Sequence, residues 1–289
     1  MEKLENTLKQ GKGEVFPSIL LVGCGKMGTA LMQGWQKEKY FSCVVVDRHK
    51  PLVPESYQLR ESCQCVCSVS DIPQEFVPDV IVLAIKPQKV EEVLIALGER
   101  YAHQNLTLLS VMAGRKIAFL EKTWCTRSNN CPPIIRAMPN TPSVLGAGVC
   151  GLYASPKVTA EQKQYCDTLM RAVGKTVWVD EEHLIDAVTG VSGSGPAYVF
   201  LLAEWLEKAG HEQGLPLSVA RLLAREVIYG AGKMLHELPT EASELRQNVT
   251  SPGGTTAAAL SVLMGAEAFP KIVPEAVAAA VHRAGELAG

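Results

Sequence analysis

Two periodicities divide the chain. Up to residue 180, short apolar runs alternate with stretches whose apolar residues return every three or four positions. Residues 18–23 are an apolar run closed by glycine and predict a buried strand. Residues 26–37 then carry Met27, Ala30, Leu31 and Trp35 at helical spacing. Further strands are predicted over 43–46, 79–85, 107–111, 134–136, 149–153 and 176–179, and helices over 90–97, 115–122 and 159–173. Strands in alternation with helices predict an α/β domain with a doubly wound parallel sheet. After Asp180 only the helical period remains, over 181–191, 196–213, 216–237, 240–249, 255–264 and 272–287. Several of these helices, such as 220–234, are apolar nearly all round. A helix apolar on more than one face needs more than one partner, so this all-α domain is expected to pair with a second copy.

The expected organisation is a tail over 1–17, a dinucleotide-binding domain over 18–180 and a helical domain over 181–289. A length of 289 residues fits two domains. Hydrophobic residues at 47% and charged residues at 20% describe a packed globular chain. A net charge of −2 with no basic stripe argues against nucleic acid as the main partner, and no apolar run approaches the ~18 residues that span a membrane. The polar start MEKLENTLKQGKGE has no apolar secretory core. Among nine cysteines, Cys63, Cys65 and Cys67 alternate along an expected strand. The spacing is not a common zinc pattern and no histidine is near, so reduced structural thiols of a cytoplasmic protein, and no metal, are expected.

The chemistry begins at LLVGCGKMG. Gly23, Gly25 and Gly28 form G-x-G-x-x-G after a strand and at the opening of a helix, with Asp47 ending the next strand. In that context Gly23 allows the turn, Gly25 lets the backbone approach a pyrophosphate and Gly28 lets helix pack on strand. The amides at the helix start, Lys26 and Met27 included, offer positive potential to the phosphates. Asp47 suits the 2′-hydroxyl of NAD and repels the 2′-phosphate of NADP, whereas the cationic run Arg48, His49 and Lys50 could bind that phosphate. NADP is favoured, with NAD as the alternative.

Four later stretches carry candidate chemistry. In VLAIKPQ, Ala84, Lys86 and Pro87 fall at the carboxyl edge of a strand, where ligands of such sheets bind. In IIRAMPNTP, prolines frame Asn140 and Thr141 before Pro142, so the polar side chains either hold a ligand or satisfy a stiff turn. In GVSGSGPAYVF, Ser192, Gly193, Ser194 and Gly195 precede Pro196, a good first helical residue, and small residues here point to close helix packing. In VTSPGGTTAAA, Ser251, Gly253, Gly254, Thr255 and Thr256 stand at a helix start. Amides and hydroxyls there make a carboxylate site, or else an ordinary capped helix.

Taken in order, GCGKMG, AIKPQ, RAMPNTP, VSGSGPAYVF and SPGGTT make the chain over about residues 18–285 resemble the pyrroline-5-carboxylate reductases. The resemblance implies a Rossmann-type domain followed by a helical dimerisation domain, with assembly from homodimer to decamer. It implies reduction of the cyclic imine of 1-pyrroline-5-carboxylate to L-proline with NADPH or NADH. It places Thr256 at the imine nitrogen, Ser251 with the amides of Gly253, Gly254 and Thr255 on the carboxylate, and Asn140, Pro142 and Lys86 on the nicotinamide side. A hydroxyacid dehydrogenase of the 6-phosphogluconate type shares the plan but needs a lysine four residues after its G-x-G turn. Here position 199 is Val199, and the asparagine expected one turn later is replaced by Leu202 and Ala203. A non-catalytic dinucleotide-binding regulator would have no reason to keep SPGGTT together with PNTP.

Overall fold

The computed structural model describes residues 17–37, 42–48 and 63–288. The chain forms two compact units, with the change at Glu182–His183. The first unit is built on one eight-stranded sheet: β1 (Ile19–Val22), β2 (Cys43–Val46), β3 (Cys63–Val66), β4 (Val80–Leu83), β5 (Thr107–Ser110), β6 (Ile134–Met138), β7 (Gly148–Ala154) and β8 (Gly174–Trp178). The order is β3-β2-β1-β4-β5-β6-β7-β8. Its helices are α1 (Lys26–Lys37), α2 (Val90–Arg100), α3 (Ile117–Trp124) and α4 (Ala160–Arg171).

β1, β2 and β4 read ILLV, CVVV and VIVL because both faces of the sheet are covered. The pleat sends Ile19 and Leu21 into the core shared with α1 and α4, and Leu20 and Val22 into the core shared with α2 and α3. Trp35 fastens the first core: it is fully buried and its indole N–H donates to the Leu169 carbonyl at 2.8 Å.

One pairing departs from the expected all-parallel sheet: β7 runs antiparallel to β6. Residues 139–147, which join them, hold a 3₁₀ turn over Thr141–Leu145 and are shorter than the crossover of about a dozen residues that parallel strands require. The chain reverses at Gly146, whose φ is +73°. β7 and β8 are parallel again, joined through α4.

The cysteine pattern is corrected in one respect. Cys63 and Cys65 lie on β3 and pack on the α1-side core, but the strand stops at Val66 and Cys67 is exposed beyond it. In register, Cys63 stands opposite Cys43 of β2. The thiols of Cys43, Cys63 and Cys65 are near enough across the two strands to influence one another's ionisation. All nine cysteines are free thiols. Among the described residues no group of three or more His, Cys, Asp and Glu side chains is arranged to hold a metal ion.

The second unit consists of α5 (Leu184–Val188), a π-helical turn (Thr189–Gly193), α6 (Gly195–Glu212), α7 (Leu217–Glu237), α8 (Ala242–Asn248), α9 (Thr255–Leu263) and α10 (Phe269–Leu287). The helix expected over 181–191 is thus shorter and runs into a π turn, closed by the Ser194 N–H on the Thr189 carbonyl at 2.8 Å. Close packing at this motif falls on Gly190, where a Cβ would stand 2.7 Å from Val281, and not on Gly195, which has open space beside it. α10 starts three residues before its expected start at Ile272, because Pro270 sits in its first turn, where no N–H is needed.

Within this unit, Ala220, Ala224, Ala284 and Ala288 are buried and Ile185 is the largest buried hydrophobic, while Phe200, Trp205, Leu222, Tyr229 and Ile272 are exposed. An apolar surface of this extent marks a protein-protein interface. Among the described residues no helix is long and apolar enough to cross a membrane.

Trp35→Ala removes both the packing and the bond to Leu169. It is expected to cost about 3–5 kcal/mol in the sheet unit, read as a lower denaturant midpoint of that unit's transition. This thiol cluster has a pH signature. The neighbouring Cys43 thiol and burial hold the Cys63 thiol up at about 12. Such a group supports the fold fully below the ordinary thiol range of about 8.5, and that support is lost as pH rises toward the folded-state value. Thermal stability is therefore expected to fall between about pH 9 and 12, less steeply in a Cys63→Ala, Cys65→Ala chain; an unchanged slope would contradict the raised thiol.

Candidate active site

The sheet changes winding direction between β1 and β4, and the loops after these strands are packed together. Gly23 has φ +93° and its N–H donates to the Val46 carbonyl at 2.8 Å. A Cβ on Gly23 would meet the Ala84 carbonyl oxygen at 2.7 Å, and one on Gly28 would meet the Gly23 carbonyl at 2.2 Å. Side chains at these two positions would force β1, α1 and the β4 loop apart. Gly25 differs: nothing lies within 4 Å of where its Cβ would be. The first bond of α1 runs from the Thr29 N–H to the Gly25 carbonyl at 2.8 Å, so the amides of Lys26, Met27 and Gly28 have no partner inside the helix. Lys26 is exposed and Met27 half-buried against the core.

Asp47 follows β2 and its Oδ2 accepts the Cys24 N–H at 2.6 Å. The Thr29 hydroxyl donates to the Cys24 carbonyl at 3.1 Å. The residue between the first two glycines is thus held from both sides. Nothing in the sequence pattern pointed to the Asp47–Cys24 contact, which joins residues far apart in the chain. Burial pushes the Cys24 thiol up; the Thr29 hydrogen bond opposes the rise and the Asp47 carboxylate adds to it. Arg48 is exposed, and His49 and Lys50 lie outside the described residues.

At the β4 edge, the Ala84 N–H donates to the Val22 carbonyl at 2.8 Å. Lys86 is exposed and precedes a 3₁₀ turn that Pro87 opens. After β6, Asn140 is buried and its Oδ1 accepts the Val149 N–H at 3.0 Å. That side chain therefore fastens the start of β7. Pro142 sits in the 3₁₀ turn that packs on α1. The structure thus brings the Gly23–Gly28, Ala84–Pro87 and Asn140–Pro142 stretches to one sheet unit, around the carboxyl ends of β1, β4 and β6.

In the helical unit, the Gly254 N–H donates to the Ser251 carbonyl at 3.0 Å and Gly253 has φ +69°. Gly254 is the N-cap of α9, so no side chain caps this helix. The serine or threonine cap that the sequence allowed is not formed. Among the described residues the hydroxyls of Ser251, Thr255 and Thr256 make no hydrogen bond. Ser251 and Thr255 are exposed, and Thr256 half-buried. Uncapped amides together with unengaged hydroxyls at a helix start suit a carboxylate. Val199 lies exposed on α6, and no lysine takes its place.

The profile described as pyrroline-5-carboxylate reductase dimerisation matches residues 182–287, and that described as NADP oxidoreductase coenzyme F420-dependent matches residues 18–114. A pyrroline-5-carboxylate reductase of Pseudomonas aeruginosa is 36% identical over 94% of this chain and 97% of its own. The structure of a pyrroline-5-carboxylate reductase from Coxiella burnetii superposes with a TM-score of 0.84 at 33% identity, covering 94% of this chain and 99% of that one. The Plasmodium falciparum pyrroline carboxylate reductase with NADP bound superposes with a TM-score of 0.76 at 26% identity, covering 94% and 98%. With the same reductases matching in sequence and in fold over nearly the whole length, and their dimerisation profile covering the helical unit, the chain belongs to the pyrroline-5-carboxylate reductase family.

Proposed function

We propose that this chain reduces 1-pyrroline-5-carboxylate to L-proline with NADPH, NADH being the weaker alternative. It is an oxidoreductase that acts on a cyclic C=N bond. The observation that carries the reading is the bare start of α9, where amides and the Thr255 and Thr256 hydroxyls stand without a side-chain cap. Alcohol oxidation is disfavoured because no lysine stands at position 199 to take a hydroxyl proton.

The sheet domain, 18–180, takes the cofactor and the helical domain, 181–289, takes the substrate. The residues fit a dinucleotide: open space over Gly25 and the free amides of Lys26, Met27 and Gly28 suit a pyrophosphate. Asp47 keeps one oxygen on Cys24, and Arg48 stands ready for a 2′-phosphate. Ala84, Lys86, Pro87, Asn140 and Pro142 border the nicotinamide side. When bound, the reduced nicotinamide supplies a hydride.

The protein's own work is to hold the acceptor. Ser251 with the amides of Gly253, Gly254 and Thr255 grips the carboxylate. The Thr256 hydroxyl hydrogen-bonds the imine nitrogen. Hydride arrives at the imine carbon, the C=N π pair moves to nitrogen, and a proton from water or from pre-protonated substrate completes the amine. A threonine hydroxyl holds its proton too tightly to give it up easily, so Thr256 orients rather than ionises. Fixing ring and acceptor against each other supplies much of the rate.

The helical unit forms a homodimer, which its exposed apolar faces require. Higher assembly to a decamer and a cytoplasmic location are further parts of the reading. The free thiols agree with a reducing compartment.

Purified protein is expected to oxidise NADPH, and NADH more slowly, when given pyrroline-5-carboxylate, and to ignore 2-keto acids; no consumption with the imine would falsify the assignment. Thr256→Ala is expected to lower kcat by roughly 100-fold with cofactor affinity nearly unchanged; equal loss of both would mean misfolding. Gly25→Ala is expected to fold normally, since its Cβ meets nothing, yet to bind NADPH about tenfold more weakly by titration because the methyl fills the phosphate approach.

A further inference from the structure

We propose that Arg136 and Glu182 are positioning residues for the nicotinamide half of the cofactor site, an inference that rests on the function proposed above. β6 reads IIRAM, with one charge in a buried apolar strand. Arg136 is only 3% exposed. It shares its face of the sheet with Ile134, which packs in the α2–α3 core. In register it stands opposite Ser110, the last residue of β5, and so at the carboxyl edge.

Its Nη1 donates to Glu182 Oε1 at 2.9 Å. The same oxygen accepts the N–H of Ile117 at 2.7 Å. Ile117 opens α3, and the residue before it supplies no side-chain cap. One carboxylate oxygen therefore fastens the end of the β5–α3 loop to β6, just before the loop that carries Asn140 and Pro142. Arg136 Nε is buried and has no hydrogen-bond partner among the described residues.

Stability alone is a poor reason for this pair. Removing two charges from water costs about what their attraction returns, and an apolar side chain of similar volume often serves as well. Ile134 on the same face shows that such a residue packs here. What a charged pair adds is a fixed direction between donor and acceptor. A doubly wound sheet binds a dinucleotide across its two halves. The glycine loop and Asp47 assign the adenosine half to β1–β3, which leaves β4–β6 for the nicotinamide. Glu182 ties the loop that follows β5 to β6, the strand whose end leads into the Asn140–Pro142 loop.

The test uses the full-length protein and three readouts: kcat/KM for pyrroline-5-carboxylate, affinity for NADPH, and affinity for 2′,5′-ADP, which has only the adenosine half. Arg136→Met is expected to lose roughly 10- to 100-fold in kcat/KM. Its 2′,5′-ADP affinity should stay within about twofold of the parent, while its melting temperature falls because Glu182 is left without its cation. Arg136→Lys, which keeps a cation for Glu182, should recover a large part of the loss. Glu182→Gln keeps an acceptor for Ile117 but not the ion pair, and should fall in the same direction; it carries the test if Arg136→Met does not fold. Undiminished kcat/KM in either folded variant overturns the proposal, as does a parallel loss of 2′,5′-ADP and NADPH binding. Failure of the unaltered protein to reduce pyrroline-5-carboxylate counts against the functional reading instead. The pair is then judged by whether NADPH affinity falls while 2′,5′-ADP affinity holds.

Discussion

The close approach of backbone to backbone where β1 turns into α1 is the constraint on which the sheet unit depends. The Gly23 and Gly28 positions have no room for a Cβ, because the Ala84 and Gly23 carbonyls already occupy that space. This packing puts the β4 loop directly beside the glycine loop. It also leaves the first α1 amides without a partner inside the helix and the space over Gly25 open. Asp47 and Thr29 complete the arrangement by holding the Cys24 amide and carbonyl. A ligand thus meets a loop whose backbone groups are already pointed, which lowers the ordering cost of binding.

The two units solve the problem of apolar surface differently. The sheet unit buries long runs on both faces in two cores of its own. The helical unit buries mostly alanines and leaves Phe200, Trp205 and Leu222 open. A surface of that kind is stable in water only when covered, which is the physical content of a dimerisation domain. The same unit carries α9, whose start has glycines where a capping side chain would normally stand. A glycine N-cap costs only a few tenths of a kcal/mol against a serine or threonine, and it leaves the amides without a side-chain acceptor.

Most of the elements were legible in the sequence. The strands ILLV and VIVL and the helix at 26–37 stand where their periodicity put them, because apolar spacing is a local property. The errors have local causes too. The helix expected over 181–191 runs into the first half of the π turn at Thr189–Gly193, since a one-residue widening leaves little mark on spacing. Cys67 looked like part of a strand because alternation persists for one residue beyond the last ladder bond.

By itself, the sequence determined the alternation of strand and helix, the glycine turn with its free helix amides, and a helical half too apolar to stand alone. Each follows from residues close together in the chain. Tertiary structure alone decided that β7 turns back antiparallel, that Asp47 holds Cys24, that Cys63 meets Cys43, and that Arg136 meets Glu182. Those contacts join residues far apart in the chain that only the assembled sheet and its loops bring together, and no local pattern encodes such a distance.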